Sequence, residues 1–205
     1  MHLLRDTEFK KFVIKFLLLF AIMNFGSYAI IGISAPGGYY SEFVANYLDY
    51  VSAIKLTLMH GSKLLLSFFG IETKFAGSDH LKFINGRGVF ISYDCVGFGV
   101  FSFWIAFVIA NKISIRKKIF WVFGGIFLLW LINVTRISLF LVATNKKWNM
   151  PLGIDHHTWF NIASYIAIFI MIYFFDRSSN HNLLNNIKKN QNEDERNSSD
   201  LSKAK

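Results

Sequence analysis

Four long apolar stretches constrain the fold of this chain more than any motif does. They lie near residues 12–33, 96–111, 119–143 and 157–175. A helix needs about 20 apolar residues to cross a hydrocarbon core of about 30 Å, or a few less where its flanks are interfacial. Hydrophobic residues make up 53% of the chain, which exceeds the usual share in a soluble domain. The sequence therefore predicts an all-α integral membrane protein with about four transmembrane helices.

The first apolar stretch follows basic residues and has two interpretations, a signal peptide or a retained anchor. Its apolar run is longer than the usual signal-peptide core of about 7 to 15 residues. Pro36 directly follows Ser34 and Ala35, the small residues at which cleavage would occur. These features favour a retained anchor.

Basic residues in short segments indicate the orientation, since Lys and Arg near helix ends tend to stay on the cytoplasmic side. The turn NKISIRKK at residues 111–118 carries four basic residues and no acid, and the N-terminal flank up to Lys15 carries another four. With four spans, both segments lie on the same side. We therefore expect a multi-pass protein of the cell inner (cytoplasmic) membrane, with residues 34–95 and 144–156 facing outward.

The outward segment at residues 34–95 predicts two smaller elements. Residues 41–71 have helical character, but charges such as Lys55 interrupt them. Because central charges are costly in hydrocarbon, we favour an interfacial amphipathic helix over a fifth span. Residues 71–95 contain short alternating runs separated by turn residues, and these predict a small extracytoplasmic hairpin-like segment ahead of Cys95.

The C-terminal tail, residues 176–205, is polar and of mixed charge, which predicts a disordered cytoplasmic tail without a catalytic role. Residues 1–175 would then form a single membrane domain. The net charge of +9 is spread over the membrane flanks and the tail, with no aromatic and basic face. We therefore expect contact with membrane lipids and no nucleic acid partner.

Chemically reactive side chains fall at the ends of these predicted helices. Cys95, the only cysteine, directly precedes the second stretch, and Arg136 lies late in the third. His156 precedes the fourth stretch, and His157 begins it. In the four-span topology all of these residues reach one outer surface. This arrangement suggests a cysteine-dependent enzyme, because a single thiol cannot form a disulfide within the chain.

Each side chain has a functional and a structural interpretation. A cysteine is often an inert small hydrophobe, but a helix N-terminus and a cationic partner favour the nucleophilic thiolate. Arg136 could be that partner, or it could extend to the lipid headgroups. A histidine could exchange protons with the thiol and a leaving amine. His156 and His157 compete for this role, since adjacent helical residues point about 100° apart.

A metal site is a further alternative. Asp155, His156, His157 and Cys95 are all possible zinc ligands. Their spacing argues against such a site, since helical zinc pairs usually stand four residues apart and these histidines are adjacent. We expect no metal and no cofactor.

At these residues the chain resembles the exosortase and archaeosortase family of membrane transpeptidase-like enzymes. The resemblance rests on Cys95 in DCVGFGVFSFW, on Asn133 and Arg136 in NVTRI, and on a histidine in DHHTWFN. The order Cys, Arg, His on successive helices is the family's pattern. It covers roughly residues 85–175, so the chain looks like a short variant without the family's N-terminal helices.

The resemblance implies a membrane-embedded cysteine protease or transpeptidase that recognises and cleaves a C-terminal sorting signal of exported proteins at the outer face of the membrane. Cys95 would be the nucleophile, Arg136 the electrostatic stabiliser and His157 the acid and base. Asn133 and His156 would support them. The substrates would be exported proteins with a C-terminal motif, a transmembrane helix and a basic tail.

The alternative function is a non-enzymatic membrane assembly factor for surface-protein or exopolysaccharide export. In such a protein the same side chains would only pack helix ends. The two functions differ in what they require of Cys95, since an assembly factor should tolerate Cys95→Ala and a thiol nucleophile cannot.

Overall fold

The computed structural model describes residues 7–34, 39–146, 158, 162–163 and 165–178. The chain divides into two compact units, residues 1–164 and 165–205. The described part is mostly helical, as the sequence predicts. Residues 165–178 of the second unit are helical and overlap the fourth predicted span. The predicted disordered tail lies outside the described residues from residue 179 onward.

Residues 7–34 and 39–146 of the first unit contain five helices, three short strands and one 3-10 turn. The helices are α1 (Thr7–Ser34), α2 (Glu42–Tyr47), α3 (Tyr50–Phe68), α4 (Phe98–Ala110) and α5 (Ile115–Lys146). The strands are β1 (Thr73–Phe75), β2 (His80–Phe83) and β3 (Gly88–Phe90), and the 3-10 turn is Tyr93–Val96. Helix α4 packs against both α1 and α5, and α3 packs along α5.

Helices α1 and α5 are the two described helices that are long and apolar enough to cross a membrane. They contain 28 and 32 residues, or about 42 and 48 Å at about 1.5 Å per residue. Apolar side chains of α1, such as Leu18, Ile22 and Phe25, are more than half exposed. Such a surface is typical of a helix that contacts lipid.

Helix α4 occupies the second predicted span but is shorter than the prediction. Its 13 residues extend about 20 Å, less than the hydrocarbon core of about 30 Å. It begins only at Phe98, because Gly97 has a φ of 76°, a left-handed conformation that ends the preceding turn. The predicted count of four spans is therefore not confirmed.

Helix α3 covers the region of the predicted interfacial helix. Asp49 caps its N-terminus and accepts a hydrogen bond from the Ser52 amide at 2.9 Å. One face is buried against α5, where a Cβ on Gly61 would stand only 2.7 Å from the Trp130 ring. Ser62 donates to the carbonyl of Val134 at 3.3 Å. Small residues thus let α3 and α5 approach closely.

The predicted hairpin-like segment is a three-stranded antiparallel sheet in the order β1-β2-β3. Its buried side chains, including Leu81 and Val89, join the core with α3 and α5. The Asn145 side chain near the end of α5 accepts from the Arg87 amide at 2.8 Å and donates to its carbonyl at 3.0 Å. The sheet is therefore attached to α5 just before the chain enters the turn that carries Cys95.

Candidate active site

Cys95 lies in the 3-10 turn Tyr93–Val96, between the sheet and α4. Its amide donates to the carbonyl of Ser92 at 3.0 Å, and the Ser92 hydroxyl lies 3.4 Å from the sulfur. The thiol is half-buried. Because Gly97 separates this turn from α4, the cysteine lies before the first turn of that helix and does not cap it.

Arg136 of α5 approaches Cys95. The Nη2 atom of its guanidinium lies 4.0 Å from the Cys95 sulfur, although 41 residues separate the two. A guanidinium carries a permanent positive charge and only donates hydrogen bonds. The contact therefore brings a cation next to the thiol.

Asn133 joins the same site through the backbone. Its side-chain amide is buried and donates to the carbonyl of Val96 at 2.6 Å. The resemblance gives Asn133 a supporting role, and its contact is with the turn that contains Cys95. A Cβ on Gly97 would stand 3.2 Å from the Asn133 amide nitrogen. The glycine therefore serves both the left-handed conformation and the close approach of α5.

The two candidate bases lie outside the described residues. His156 and His157 belong to the segment between α5 and the helix of the second unit, and Asp155 of the metal alternative belongs to the same segment. Among the residues that the structure does describe, no group of three or more His, Cys, Asp or Glu side chains could hold a metal ion. The role of a histidine at this site stays a prediction.

A buried lysine contacts the turn that contains Cys95, and the sequence analysis gave it no role. Lys55 of α3 is 7% exposed and forms an ion pair with Asp79 of the sheet segment. Its ammonium also lies 4.3 Å from the ring centroid of Tyr93, whose hydroxyl is 3.2 Å from that of Ser52. The Lys55 hydrogen bond holds the pKa of the Asp79 carboxyl below its ordinary value of 3.8, while burial opposes this effect.

A cavity of about 200 Å³ opens beside the cysteine turn, between α1, α4 and α5. Its polar lining consists of Asn24, Tyr28, Asn133 and Arg136. Its apolar lining includes Phe98, Phe101, Leu129 and Ile132. Sequence reasoning missed Asn24 and Tyr28, although an amide within the apolar run of α1 is a signal that could have identified the first.

The basic segments meet at the opposite end of α4. Lys15 of α1 and Lys118 of α5 both donate to the carbonyl of Ile109, at 3.2 and 2.9 Å. Lys112 forms an ion pair with Glu8. The two segments expected on one side of the membrane therefore lie together. The length of α4, about 20 Å, separates them from Cys95.

Comparison with known proteins identifies no relative. No family model matches this chain, and neither a curated protein nor a solved structure matches it significantly. A function is therefore inferred from the geometry around Cys95 and from the motifs of the sequence.

Proposed function

We propose that this chain is a membrane-embedded cysteine peptidase or transpeptidase that cleaves a C-terminal sorting signal of exported proteins, as in the exosortase and archaeosortase family that it resembles. The observation that carries the proposal is the distance of 4.0 Å between the Cys95 sulfur and Nη2 of Arg136. Two residues that sequence reasoning singled out separately thus come together from different elements.

A guanidinium beside the thiol suits attack on a carbonyl group. Its positive charge stabilises the thiolate, which is the nucleophilic form of cysteine. The same charge stabilises the oxyanion that develops on the attacked carbonyl. Arg136 cannot accept the thiol proton, so the mechanism needs a separate base. His157 is our candidate, with His156 as its competitor.

The reaction proceeds in two steps. The proton of the Cys95 thiol passes to the histidine, and the sulfur bonds to the scissile carbonyl carbon. The carbon–nitrogen bond then breaks, and the histidine returns the proton to the leaving amine. A thioester between Cys95 and the N-terminal part of the substrate results. Water or an acceptor nucleophile attacks this thioester and regenerates the thiol.

The position of the site along α4 supports an outward-facing orientation. Cys95 and Arg136 lie at the end of α4 opposite the basic segments, and basic segments favour the cytoplasmic side. A substrate anchored by its own transmembrane helix, with a basic tail in the cytoplasm, would carry its motif to the same outer level. Exported proteins of this kind, and membrane lipids, are the proposed partners.

The test is the processing of a candidate tailed protein in cells that carry the wild type, Cys95→Ala or Cys95→Ser. Membrane levels of each variant are measured by immunoblot, and Thr135→Ala serves as a matched control. The Thr135 hydroxyl lies on an exposed face of α5 and bonds within its own helix, to Leu131. We expect both cysteine variants to lose processing at equal abundance. Unchanged processing in both variants would contradict the proposal and favour the alternative function, a non-enzymatic assembly factor.

A further inference from the structure

Asn24 places a side-chain amide within the apolar run of α1. Within the described part of the chain, this amide has no hydrogen-bond partner. The nearby Ser27 differs, since its hydroxyl donates to the carbonyl of Met23 at 2.8 Å and lies 2.6 Å from the Tyr50 hydroxyl. An amide without a partner is costly in apolar surroundings, which makes such a residue a candidate for ligand binding.

The packing of α4 leaves room for this amide. A Cβ on Gly99 would stand 3.3 Å from Oδ1 of Asn24, so a larger residue at position 99 would press on the side chain. Asn24 and Arg136 both line the cavity of about 200 Å³ beside the cysteine turn. The cavity therefore connects the amide of α1 with the cation that contacts Cys95.

The polar groups of the cavity fit a peptide group. The Arg136 guanidinium only donates hydrogen bonds, whereas the Asn24 amide both donates and accepts. A peptide main chain offers a carbonyl to the Arg136 guanidinium. It offers both a carbonyl and an N–H to the Asn24 amide. A lipid phosphate would bring only acceptor oxygens and would leave the carbonyl of Asn24 without a donor. The chemistry thus favours a peptide over a phosphate group alone.

The size of the cavity favours small residues. Its volume of about 200 Å³ is below the range of about 300 to 1,000 Å³ that holds drug-sized ligands. It accepts about seven water-sized groups of about 30 Å³ each. The Tyr28 and Phe98 rings, with centroids 4.9 Å apart, close part of its wall. A space of this size suits two small residues better than two aromatic residues.

We propose that this cavity binds two small residues next to the scissile bond of a peptide substrate, and that Asn24 holds their main chain. The inference rests on the proposed function, because it takes Cys95 as the thiol that attacks the bound peptide. Asn24 is then a substrate-binding residue on α1, a helix outside the motifs that carry the resemblance.

Affinity labelling of Cys95 tests the inference without a natural substrate. Full-length protein in detergent is treated with acetyl-Gly-Ala chloromethyl ketone, with acetyl-Phe-Phe chloromethyl ketone, or with iodoacetamide. The sulfur displaces chloride from the ketones, or iodide from iodoacetamide, and forms a thioether. Peptide mapping by mass spectrometry gives the rate of the adduct at Cys95, the one cysteine of the chain, and separates it from adducts at histidine. Division by the iodoacetamide rate removes differences in thiol reactivity.

We expect the Gly-Ala probe to label the wild type at least about tenfold faster than the Phe-Phe probe after this correction. Asn24→Leu keeps the approximate size and suits an apolar helix. It should slow the Gly-Ala probe about tenfold, the effect of one lost hydrogen bond, and leave the iodoacetamide rate unchanged. Asn111→Leu is the matched control, since the Asn111 amide bonds to Phe107 at the far end of α4.

Equal corrected rates for the two probes, or unchanged Gly-Ala labelling in Asn24→Leu, would overturn the inference. Protection of Cys95 by added phosphatidylglycerol in the wild type but not in Asn24→Leu would also overturn it, since a lipid headgroup would then be the occupant. Failure of the proposed function has a different signature. In that case the probes would still discriminate and support a peptide site, whereas cells with Cys95→Ala would process the tailed protein normally.

Discussion

The side-chain amide of Asn133 donates to the carbonyl of Val96 across 2.6 Å, so α5 holds the turn that contains Cys95. Arg136 stands three residues later on roughly the same face of that helix. One helix therefore both orients the thiol and supplies the neighbouring cation. Substitutions at Asn133, Arg136 and Gly97 therefore test separately the orientation of the turn, the charge beside the thiol and the backbone conformation.

Loss of the Asn133 amide should weaken activity without abolishing it. Asn133→Ala leaves the Val96 carbonyl without this donor, and we expect about a tenfold slower processing of a tailed substrate. Cys95→Ala should abolish processing. The measurement is the processed fraction over time at matched protein levels, with Thr135→Ala as the control. Equal and complete losses in both variants would mean that Asn133 does more than orient the turn.

The charge of Arg136 should matter more than its volume. Arg136→Gln should slow processing about 100-fold to 1,000-fold, as the loss of an oxyanion donor does. Arg136→Lys keeps the charge without the planar donor group and should retain an intermediate rate. Arg87→Gln, in the exposed turn between β2 and β3, controls for a change in net charge. Wild-type rates in Arg136→Gln would exclude the guanidinium from the reaction.

The conformation of Gly97 should be required for stability. Gly97→Ala places a Cβ on a residue with a φ of 76°, close to the Asn133 amide. We expect the free energy of unfolding to fall by about 1 to 2 kcal/mol, measured by thermal unfolding in detergent. Gly124→Ala is the matched control, because a Cβ there meets nothing within 4 Å and alanine favours a helix. Equal stability of the two variants would contradict this reading of the turn.

The Lys55 and Asp79 pair should make stability depend on pH in the acidic range. The pKa of the Asp79 carboxyl is lowered in the folded state by the hydrogen bond from Lys55. Its contribution is therefore present above the ordinary value of 3.8 and is lost as the pH falls through the lower folded pKa. Asp79→Asn should remove this component from the dependence of melting temperature on pH.

Lys55→Met removes the other partner of the same pair. It should also reduce the fall of the melting temperature at acidic pH. Lys74→Met changes an exposed lysine of β1 and is the matched control, which should keep the wild-type profile. If the melting temperatures of both Asp79→Asn and Lys55→Met still fell at acidic pH as in the wild type, the assigned pair would be contradicted.

The sequence predicted the long helices, and it placed Cys95 and Arg136 at one expected membrane surface, for simple physical reasons. Apolar runs identified the regions of α1 and α5, because length and hydropathy are local properties. The expected level of Cys95 and Arg136 in a bilayer was compatible with a contact between them but did not establish one. The distance between them and the role of Asn133 did not follow, because they depend on how the turn before α4 packs on α5.

Other features depend on packing that no local pattern records. The alternating runs of residues 71–95 predicted a hairpin-like segment but not its three strands, since β1 and β3 have only three residues each. The late start of α4 depends on the left-handed conformation of Gly97. The cavity at Asn24 exists only because three helices meet there. The roles of His156 and His157 stay predictions, since both lie outside the described residues.

The most direct test of the central claim is capture of the Cys95 thioester with hydroxylamine. Full-length protein in lipid vesicles is mixed with a tailed substrate, with and without hydroxylamine, and the new C-terminus of the product is read by mass spectrometry. We expect a hydroxamate in the wild type, since the amine attacks the thioester, and no cleavage in Cys95→Ala. Cleavage by Cys95→Ala at the wild-type rate would contradict a cysteine nucleophile.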